Sequence, residues 1–366
     1  MKGQWLGSYT GSVEGSVMIN IDQVEEHYEL VAYITPKDNK IPSSIAFIKT
    51  ETLEFKQSTK AIVRPINPET LAWGNWEYIK KYYTEDFNHA SEADVEIERT
   101  EDSLVINAST DIGESFNCSL PAPNYKLTSR IQALSKTWDE LKAYFSEISR
   151  SGYIFRGQNV PYKLCTSFHR ASRFRLNEFI AKDVKQLHQR LTAITSHYFD
   201  LNVPEQNGAF YNLLQHHGYP TPLLDWTHSP YVAAFFAFRK LPEAYSENDV
   251  VRIYMFNNKK WQNRFIQMQH LDLPTPHLSV LEFLAIENPR LVPQQAVTTV
   301  TNLFDIEEYV ISKEAETGIK FLEAIDIPVA DREKAMMDLR FMGITAGSMF
   351  PSIDGVCEEM RERNFQ

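Results

Sequence analysis

The sequence has few cysteines and no long apolar run. Its three cysteines, Cys118, Cys165 and Cys357, are far apart and odd in number, so neither a disulfide framework nor a CxxC metal pair is indicated. The most apolar stretch, 231–238, is far shorter than the roughly 20 residues that span a membrane. Because the N-terminus turns polar within about ten residues, we expect a cytoplasmic protein without a membrane partner.

Signatures of several enzyme classes are also absent. The sequence contains no GxxxxGK[ST] phosphate loop, no GxGxxG after a strand, no HExxH, no GxSxG and no EF-hand loop. These absences disfavour P-loop nucleotidases, Rossmann oxidoreductases, zinc proteases and serine hydrolases. A metal site built from His216, His217 and a distant carboxylate stays open, but we expect no metal.

Charge is unevenly distributed along the 366 residues, whose formal net charge is −11. Residues 1–125 hold 10 Lys and Arg against 20 Asp and Glu, whereas residues 126–200 hold 13 against 6. The 22 Phe and 17 Tyr exclude a disordered chain, and the length suggests about two domains. The acidity disfavours nucleic-acid binding by the first domain and leaves an anionic ligand open for the second.

Residues 1–122 are predicted to form a β-rich domain. Runs of β-branched and aromatic residues, at 17–21, 28–34, 45–48 and 104–106, alternate with turn-forming stretches. This spacing predicts a small antiparallel sandwich or barrel, which we expect to sense a signal or to bind a regulatory protein. Its tryptophans lie near glycines, where they would either plug a barrel end or line a ligand site; they are Trp5, Trp73 and Trp76.

The periodicity becomes helical in residues 123–366, which we assign to a second domain. Thr137 to Glu140 has the form of a capping box before an apolar stripe. We also predict a strand over 152–156, a helix beginning at Pro230 and a strand over 250–256. A helix over 176–198 would bury Ile180, Val184, Leu187, Leu191, Ile194 and Tyr198. The fold class is therefore α+β, with an antiparallel sandwich or barrel followed by a mixed α+β domain.

Two polar clusters in the second domain are candidate sites. Arg156 stands in a Phe-Arg-Gly sequence at a predicted strand end, where its charge would point beyond the sheet and the glycine would let a ligand approach. The loop over 215–230 presents two adjacent histidines and Asp-Trp-Thr before a helix that Thr227 or Ser229 caps. In the structural alternative, Arg156 pairs with the carboxylate of Asp225.

These motifs resemble the FRG domain, a bacterial family named for its Phe-Arg-Gly motif, here Phe155-Arg156-Gly157. Three further segments match that family in order: HGYPTPLLDWT at 217–227 with its Ala/Phe-rich helix, NPRL at 288–291 leading to Gln294-Gln295, and FPSIDG at 350–355. The resemblance covers residues from about 131 to 366 and no part of residues 1–120.

The second domain is also similar, more weakly, to the ADP-ribosyltransferase fold, in which an Arg or His strand, a Ser/Thr strand before an Ala/Phe-rich helix and a later Glu surround NAD. Arg156 resembles the first element and 225–229 the second, while Gln294 and Gln295 stand near the expected Glu. The resemblance implies NAD as cofactor, held by Arg156, Gln158, Thr221 and Thr227. It implies catalytic positions for Arg156, His217, Asp225 and Gln295.

A neutral amide lacks the charge that the Glu supplies to the oxocarbenium-like transition state. Either Asp225, Glu282 or Glu287 therefore substitutes for it, or the domain binds nucleotide without transfer. His217 would act as the base for an acceptor group, which is a protein or a nucleic acid.

Three functions follow from these observations. The leading hypothesis is an NAD-using ADP-ribosyltransferase or NAD glycohydrolase, which the family resemblance places among bacterial toxins or phage-defence effectors. The alternative is a non-catalytic module whose basic side chains follow the phosphates of a nucleotide or RNA and whose aromatic rings stack on bases. Its candidate residues are Arg150, Arg156, Arg170, Arg173, Arg175, Lys182, Lys185 and Arg190, with Tyr162, Phe168 and Phe174. A third interpretation is a protein–protein adaptor whose polar motifs are structural.

Overall fold

The first domain is a closed eight-stranded antiparallel barrel whose strands follow chain order. The computed structural model describes residues 1–83, 87–148, 152–246 and 248–365. The barrel strands are β1 Gly3–Gly11, β2 Gly15–Val24, β3 His27–Pro36, β4 Ser44–Lys49, β5 Lys56–Pro65, β6 Glu92–Arg99, β7 Ser103–Thr110 and β8 Ser115–Pro121. Pairing of Tyr9 with Cys118 closes β1 on β8. Of the two predicted architectures, the structure is the barrel.

Four of the eight barrel strands were not predicted from the sequence, because their buried and exposed side chains alternate strictly. In β6 the side chains of Ala93, Val95 and Ile97 are buried, while those of Asp94 and Glu96 between them are exposed. A strand with one face in the core and the other exposed to solvent therefore contains few consecutive apolar residues. The apolar runs of the sequence lie instead in β2, β3, β4 and β7.

Trp5 plugs one end of the barrel. Its indole is 1% exposed, donates from Nε1 to the main-chain oxygen of Met1 at 2.9 Å and lies beneath the Arg99 guanidinium. Trp73 is half exposed on the outside, against Phe47. A short helix, α1 Trp76–Ile79, continues into a 3-10 turn, Lys80–Tyr82, in the long β5–β6 connection.

The second domain is built on a seven-stranded sheet. Its strands are β9 Ala133–Ser135, β10 Tyr153–Gln158, β11 Leu223–Thr227, β12 Val250–Asn257, β13 Leu278–Leu281, β14 Ala296–Thr301 and β15 Leu322–Pro328. The order is β13-β14-β11-β10-β12-β15-β9, and every neighbouring pair is antiparallel except β15 and β9. The predicted α+β class is confirmed by the barrel and this mixed sheet with its helices.

Helices cover both faces of this sheet. They are α2 Trp138–Ile148, α3 Ser167–Arg170, α4 Leu176–Glu178, α5 Lys185–Leu191, α6 Pro204–His216, α7 Pro230–Arg239, α8 Asn258–Gln262, α9 Ile306–Thr317, α10 Arg332–Phe341, α11 Ala346–Met349 and α12 Ile353–Asn364, with a 3-10 turn at Val329–Asp331. The capping box before α2 is present, since Thr137 N donates to Glu140 Oε2 at 2.8 Å. No helix in the described ranges is long and apolar enough to cross a membrane.

The helix predicted over 176–198 is shorter and less regular than its periodicity indicates. A π-helical segment, Phe179–Val184, joins α4 to α5, and α5 ends at Leu191. Ile194 and Tyr198 are 78% and 65% exposed, so the prediction that they belong to a buried helix face is wrong. A π turn contains one residue more than an α-helical turn. Beyond it, a pattern of apolar residues that assumes 3.6 residues per turn no longer identifies the buried face.

Gly157 is required by helix packing. Helix α7, which Ser229 caps by accepting from Val232 N, lies across β10. A Cβ at Gly157 would overlap the carbonyl oxygen of Ala233 and lie 2.8 Å from the amide nitrogen of Ala237. The absence of a side chain therefore lets α7 approach the sheet, whereas the sequence suggested that it admits a ligand.

Polar contacts connect the barrel to the second domain. The Gln4 amide on β1 donates to the main-chain oxygen of Asn302 at 2.6 Å and accepts from Phe304 N at 2.8 Å. Asp22 on β2 accepts from Phe174 N at 2.7 Å. The barrel thus holds two segments of the second domain, and both contribute an aromatic ring to the cleft described next.

Candidate functional site

A cleft of about 800 Å³ lies where β10 and β11 meet helix α7. Its walls come from 155–159, 225–227 and 233–240, from the loop before β14 at 288–296, and from aromatic rings that include Phe304. Strands β10, β11 and β14 are direct neighbours, with Phe155 opposite Thr227 and Thr227 opposite Ala296. The first two sequence elements that resemble ADP-ribosyltransferase motifs therefore lie on neighbouring strands, and the third, Gln294-Gln295, ends the loop that leads into the next strand.

Arg156 places a positive charge in this cleft. Its Nη1 donates to the main-chain oxygen of Asp225 at 2.7 Å, while its buried Nε has no partner among the described residues. Burial lowers the pKa of Arg156 to about 10, because the charged guanidinium is poorly solvated, and the group stays protonated at neutral pH. A half-buried guanidinium without a carboxylate partner suits an anionic ligand.

The described lining of the cleft is strongly cationic. It contains seven Lys and Arg but a single carboxylate, Asp225. Lys163 is neutralised by Asp305 at 3.0 Å, and Arg239 by Glu358 at 2.5 Å. Arg156 and Arg290 form no ion pair within 4.0 Å in the described part of the chain, so their charge is available to a ligand.

Two guanidinium groups meet on one aromatic ring in the cleft. Arg239 and Arg290 lie 3.9 Å and 5.0 Å from the centroid of the Phe350 ring. Burial and the charge of Arg239 lower the pKa of Arg290. An anion bound between the two arginines would relieve this repulsion.

Asp225 is the one candidate carboxylate that reaches the cleft. Glu282 lies 3.1 Å from His228 in an exposed pair, and Glu287 accepts from the backbone N–H of 196 and 197; neither lines the cleft. The carboxylate of Asp225 is exposed to solvent and accepts no hydrogen bond from the described residues. It is thus available to a bound molecule.

Thr227 and Gln294 connect the ends of two cleft strands. Thr227 Oγ1 donates to the main-chain oxygen of Gln294 at 2.7 Å and accepts from Ser229 N at 3.0 Å. The Gln294 amide donates to Met349 O at 2.8 Å. These bonds hold the edge of the cleft in place and engage the amide that stands near the expected Glu.

The structure brings Arg156, Gln158, Asp225 and Thr227 together and leaves the other three predicted site residues outside the lining. His217 is exposed, and its neighbour His216 lines the cleft instead. Thr221 is fully buried and donates to Gln215 Oε1 at 2.5 Å. Gln295 is exposed, with a left-handed φ of 48°.

His169 is a cleft residue that the sequence analysis missed. The ring is 2% exposed, Nδ1 lies 2.8 Å from Thr166 Oγ1, and Nε2 has no partner among the described residues. Burial lowers the pKa of His169 to about 3, so it is neutral at pH 7. Its sequence signal is weak: Thr166 is the N-cap of α3, and His169 is the third residue of that helix. Arg239, the last residue of the apolar helix α7, was also missed.

Part of the basic stretch is engaged in ion pairs, while Arg170, Lys185 and Arg190 are exposed. Arg173 pairs with Asp183, and Lys182 pairs with Glu178. Arg175 pairs with Glu29 of the barrel. Of the aromatic candidates, Phe168 and Phe174 are buried and Tyr162 is about half exposed. Arg150 lies outside the described residues.

No set of three or more His, Cys, Asp or Glu side chains in the described ranges could hold a metal ion. Searches of curated proteins and of solved structures found no match. The family model of the FRG domain matches residues 151–246, which include Arg156 and Asp225. Segments 288–295 and 350–355 lie outside that match but contribute Arg290, Gln294 and Phe350 to the same cleft. The chain therefore carries an FRG domain, whose Phe-Arg-Gly arginine lines the cleft.

Proposed function

We propose that the cleft binds NAD and that the FRG domain breaks the bond between nicotinamide and ribose, transferring ADP-ribose to an acceptor or to water. One observation carries the proposal: Arg156, which forms no ion pair in the described part of the chain, lines a cleft that has seven Lys and Arg but one carboxylate. Such a lining suits a ligand with two phosphates. The volume of about 800 Å³ is in the range that encloses ligands of this size.

The cleft arginines would contact different parts of the bound NAD. Arg290, which lies on the Phe350 ring beside the Glu358-paired Arg239, would take one phosphate, because its guanidinium has no ion-pair partner among the described residues. Arg156 would hold the second phosphate or the adjoining ribose through its guanidinium group. This arrangement leaves the nicotinamide ribose near Asp225.

In the proposed step the ribose C1′–N bond breaks, and nicotinamide leaves with both bonding electrons. Positive charge develops on the ribose, and the Asp225 carboxylate stabilises it in the way an acidic side chain does in other glycosyl transfers. The acceptor then attacks C1′ and gives up its proton. That proton passes to water, because burial lowers the pKa of the cleft imidazole His216 to about 4 and makes it a weak base at pH 7.

A second candidate is nucleotide binding without transfer. It is favoured by Gln294, which stands near the position where a transferase would have Glu. Its side chain is neutral, and its amide already donates to Met349 O. Under this alternative the cleft arginines bind NAD or a related nucleotide, and Asp225 has no chemical role. Binding and turnover must therefore be measured separately.

The test is incubation with NAD labelled on its adenylate half, together with a binding titration of NAD. We expect the wild type to release nicotinamide and to label an acceptor or free ADP-ribose, and Arg156→Ala to lose both binding and turnover. The control Arg264→Ala removes an exposed arginine outside the cleft and should behave like the wild type. NAD binding without nicotinamide release would support the second candidate, and absence of binding would refute both.

An NAD-consuming domain beside a barrel would suit a toxin or a phage-defence effector. We expect expression of the wild type to lower cellular NAD and to arrest growth of a bacterial host, while expression of Arg156→Ala does neither. Equal growth and equal NAD content in the two cultures would contradict this role.

A further inference from the structure

The barrel contains a cavity of its own. It has a volume of about 140 Å³ and lies at the end opposite Trp5, because the loops that border it are those at 12–14, 36–43 and 87–90. These residues are distant along the strands from the tryptophan plug, which fills the other end. The barrel is therefore packed at one end and hollow at the other.

A belt of small side chains creates this space. Five inward-facing alanines occur on five successive strands from β3 to β7: Ala32, Ala46, Ala61, Ala93 and Ala108. Ala32 stands opposite Ala46, and Ala61 opposite Ala93, in the strand register. Strand positions that face a core ordinarily carry β-branched or aromatic side chains, which fill it to close packing. A ring of alanines leaves that volume empty.

The mostly apolar lining of the cavity includes several polar side chains, of which Tyr9 is one. The Tyr9 ring is 5% exposed and stacks on Phe116 with 4.7 Å between centroids. Its hydroxyl has no hydrogen-bond partner among the described residues. Burial, reinforced by the charge of Glu114, raises the pKa of Tyr9 to about 12, so the hydroxyl keeps its proton. A second polar pair, Ser44 Oγ and His89 Nε2, lies 2.9 Å apart in the lining.

We propose that the barrel interior is a binding site for a small uncharged molecule with one aromatic ring and one polar substituent. An apolar cavity of about 150 Å³ is known to accept a benzene-sized ligand, which matches the available volume. Anionic ligands are disfavoured because the described lining has no Lys or Arg. Cationic ligands are disfavoured because its carboxylate, Glu114, is exposed to solvent and is not part of the belt. The Tyr9 hydroxyl would donate to the polar substituent, and the rings of Tyr9 and Phe116 would pack against the ligand ring.

The site is tested by titrating the full chain with phenol and, separately, with benzene. We expect saturable binding of phenol at one site and a rise in the thermal midpoint. Tyr9→Phe should weaken phenol binding about five- to tenfold, the effect of one neutral hydrogen bond, and leave benzene binding unchanged. Failure of phenol to saturate the wild type would overturn the proposal.

Cavity-filling variants locate the bound ring. Ala46→Leu and Ala93→Leu place extra atoms in the belt, so we expect phenol affinity to fall at least about tenfold. Ala72→Leu makes the same change at an exposed position outside the cavity and should bind like the wild type. Equal affinity in folded Ala46→Leu and Ala93→Leu would overturn the proposal.

A measurement on the wild type answers the same question if the leucine variants fail to fold. Ring-current shifts of the belt alanine methyl signals on addition of phenol would place the ring in the cavity. Shifts confined to other methyl groups would contradict the site. This test concerns the barrel alone, and its outcome is independent of NAD binding by the second domain.

Discussion

Arg156 donates from Nη1 to the main-chain oxygen of Asp225 at 2.7 Å, and no ion pair forms between its guanidinium and the Asp225 carboxylate. A bond to a neutral carbonyl orients the arginine without cancelling its charge. The two side chains can therefore act on a ligand separately, one as a cation and the other as a carboxylate. This relationship distinguishes the cleft from a structural ion pair.

Asp225→Asn tests whether Arg156 binds the ligand while the Asp225 carboxylate stabilises the transition state. The variant keeps the main-chain oxygen that holds Arg156 but loses the negative charge. We expect NAD affinity to change less than about threefold and nicotinamide release to fall about 100-fold or more, the usual effect of removing a group that stabilises transition-state charge. Steady-state release rates and a binding titration measure the two quantities.

The matched control is Glu282→Gln, which neutralises an exposed carboxylate paired with His228 outside the cleft. It should leave release unchanged. Undiminished turnover in Asp225→Asn would show that another group supplies the charge.

Gly157→Ala should destabilise the second domain. The added methyl group would overlap the Ala233 carbonyl, and backbone in a packed helix cannot move aside cheaply. We expect a loss of about 3 kcal/mol, seen as a lower thermal midpoint. Gly74→Ala places a Cβ 3.4 Å from the flexible end of Ile79 and should cost less than about 1 kcal/mol. Equal midpoints in the two variants would contradict the close approach of α7.

Buried histidines predict destabilisation in acid. Burial lowers the pKa of His169 to about 3 and that of His277 to about 4, against about 6.5 in the unfolded chain. Below pH 6.5 these two histidines bind protons in the unfolded state but remain neutral in the folded state. Stability is therefore fully present above that pH and falls as pH drops through the window, by up to about 1.4 kcal/mol per pH unit for each histidine.

The measurement is denaturant unfolding between pH 7 and pH 4.5. His277→Gln should reduce the pH slope by about 1.4 kcal/mol per pH unit. Ser279→Ala removes the hydroxyl 3.3 Å from His277 Nδ1 but keeps the imidazole, so it should lower stability without changing the slope. A slope that is insensitive to His277→Gln would argue that the ring protonates in the folded protein.

Gln4→Ala should weaken the contact between barrel and second domain. The substitution leaves the buried Phe304 N–H without its acceptor and Asn302 O without its donor, at a cost of about 1–3 kcal/mol. Because Phe304 lines the cleft, we also expect weaker NAD binding. Gln23→Ala, at an exposed position on β2, should change neither quantity. An unchanged midpoint in Gln4→Ala would contradict the contact.

Local patterns were enough to predict many elements of the fold. The capping box at Thr137 and the Ser229 cap depend on residues within one helical turn, so the sequence contains all the information they require. The end of α5 does not follow from pattern, because the π turn over Phe179–Val184 shifts the helical register. Strands β5 and β6 were not predicted, because nearly every second residue is polar and the core that buries the other face is formed by residues distant in the sequence.

The candidate site was predictable only in part. Arg156, Asp225 and Thr227 stand out as polar residues in apolar surroundings, and strand pairing brings them together. Adjacent residues such as His216 and His217 have the same chemistry in the sequence, yet one lines the cleft and the other faces solvent. Which of two neighbours points inward depends on where the helix ends and on what packs against it.

The amino-acid sequence alone determined the α+β class, the β-rich first third, the acidic and basic segments and the FRG motif, because each of these is a property of neighbouring residues. The tertiary structure alone decided that the barrel is closed, that five distant alanines share one ring and that Arg239, Arg290 and Phe350 meet in the cleft with Arg156. Those juxtapositions join residues that lie from about ten to almost 200 positions apart in the sequence. Strand register and helix packing set them, and neither can be read from a short window of sequence.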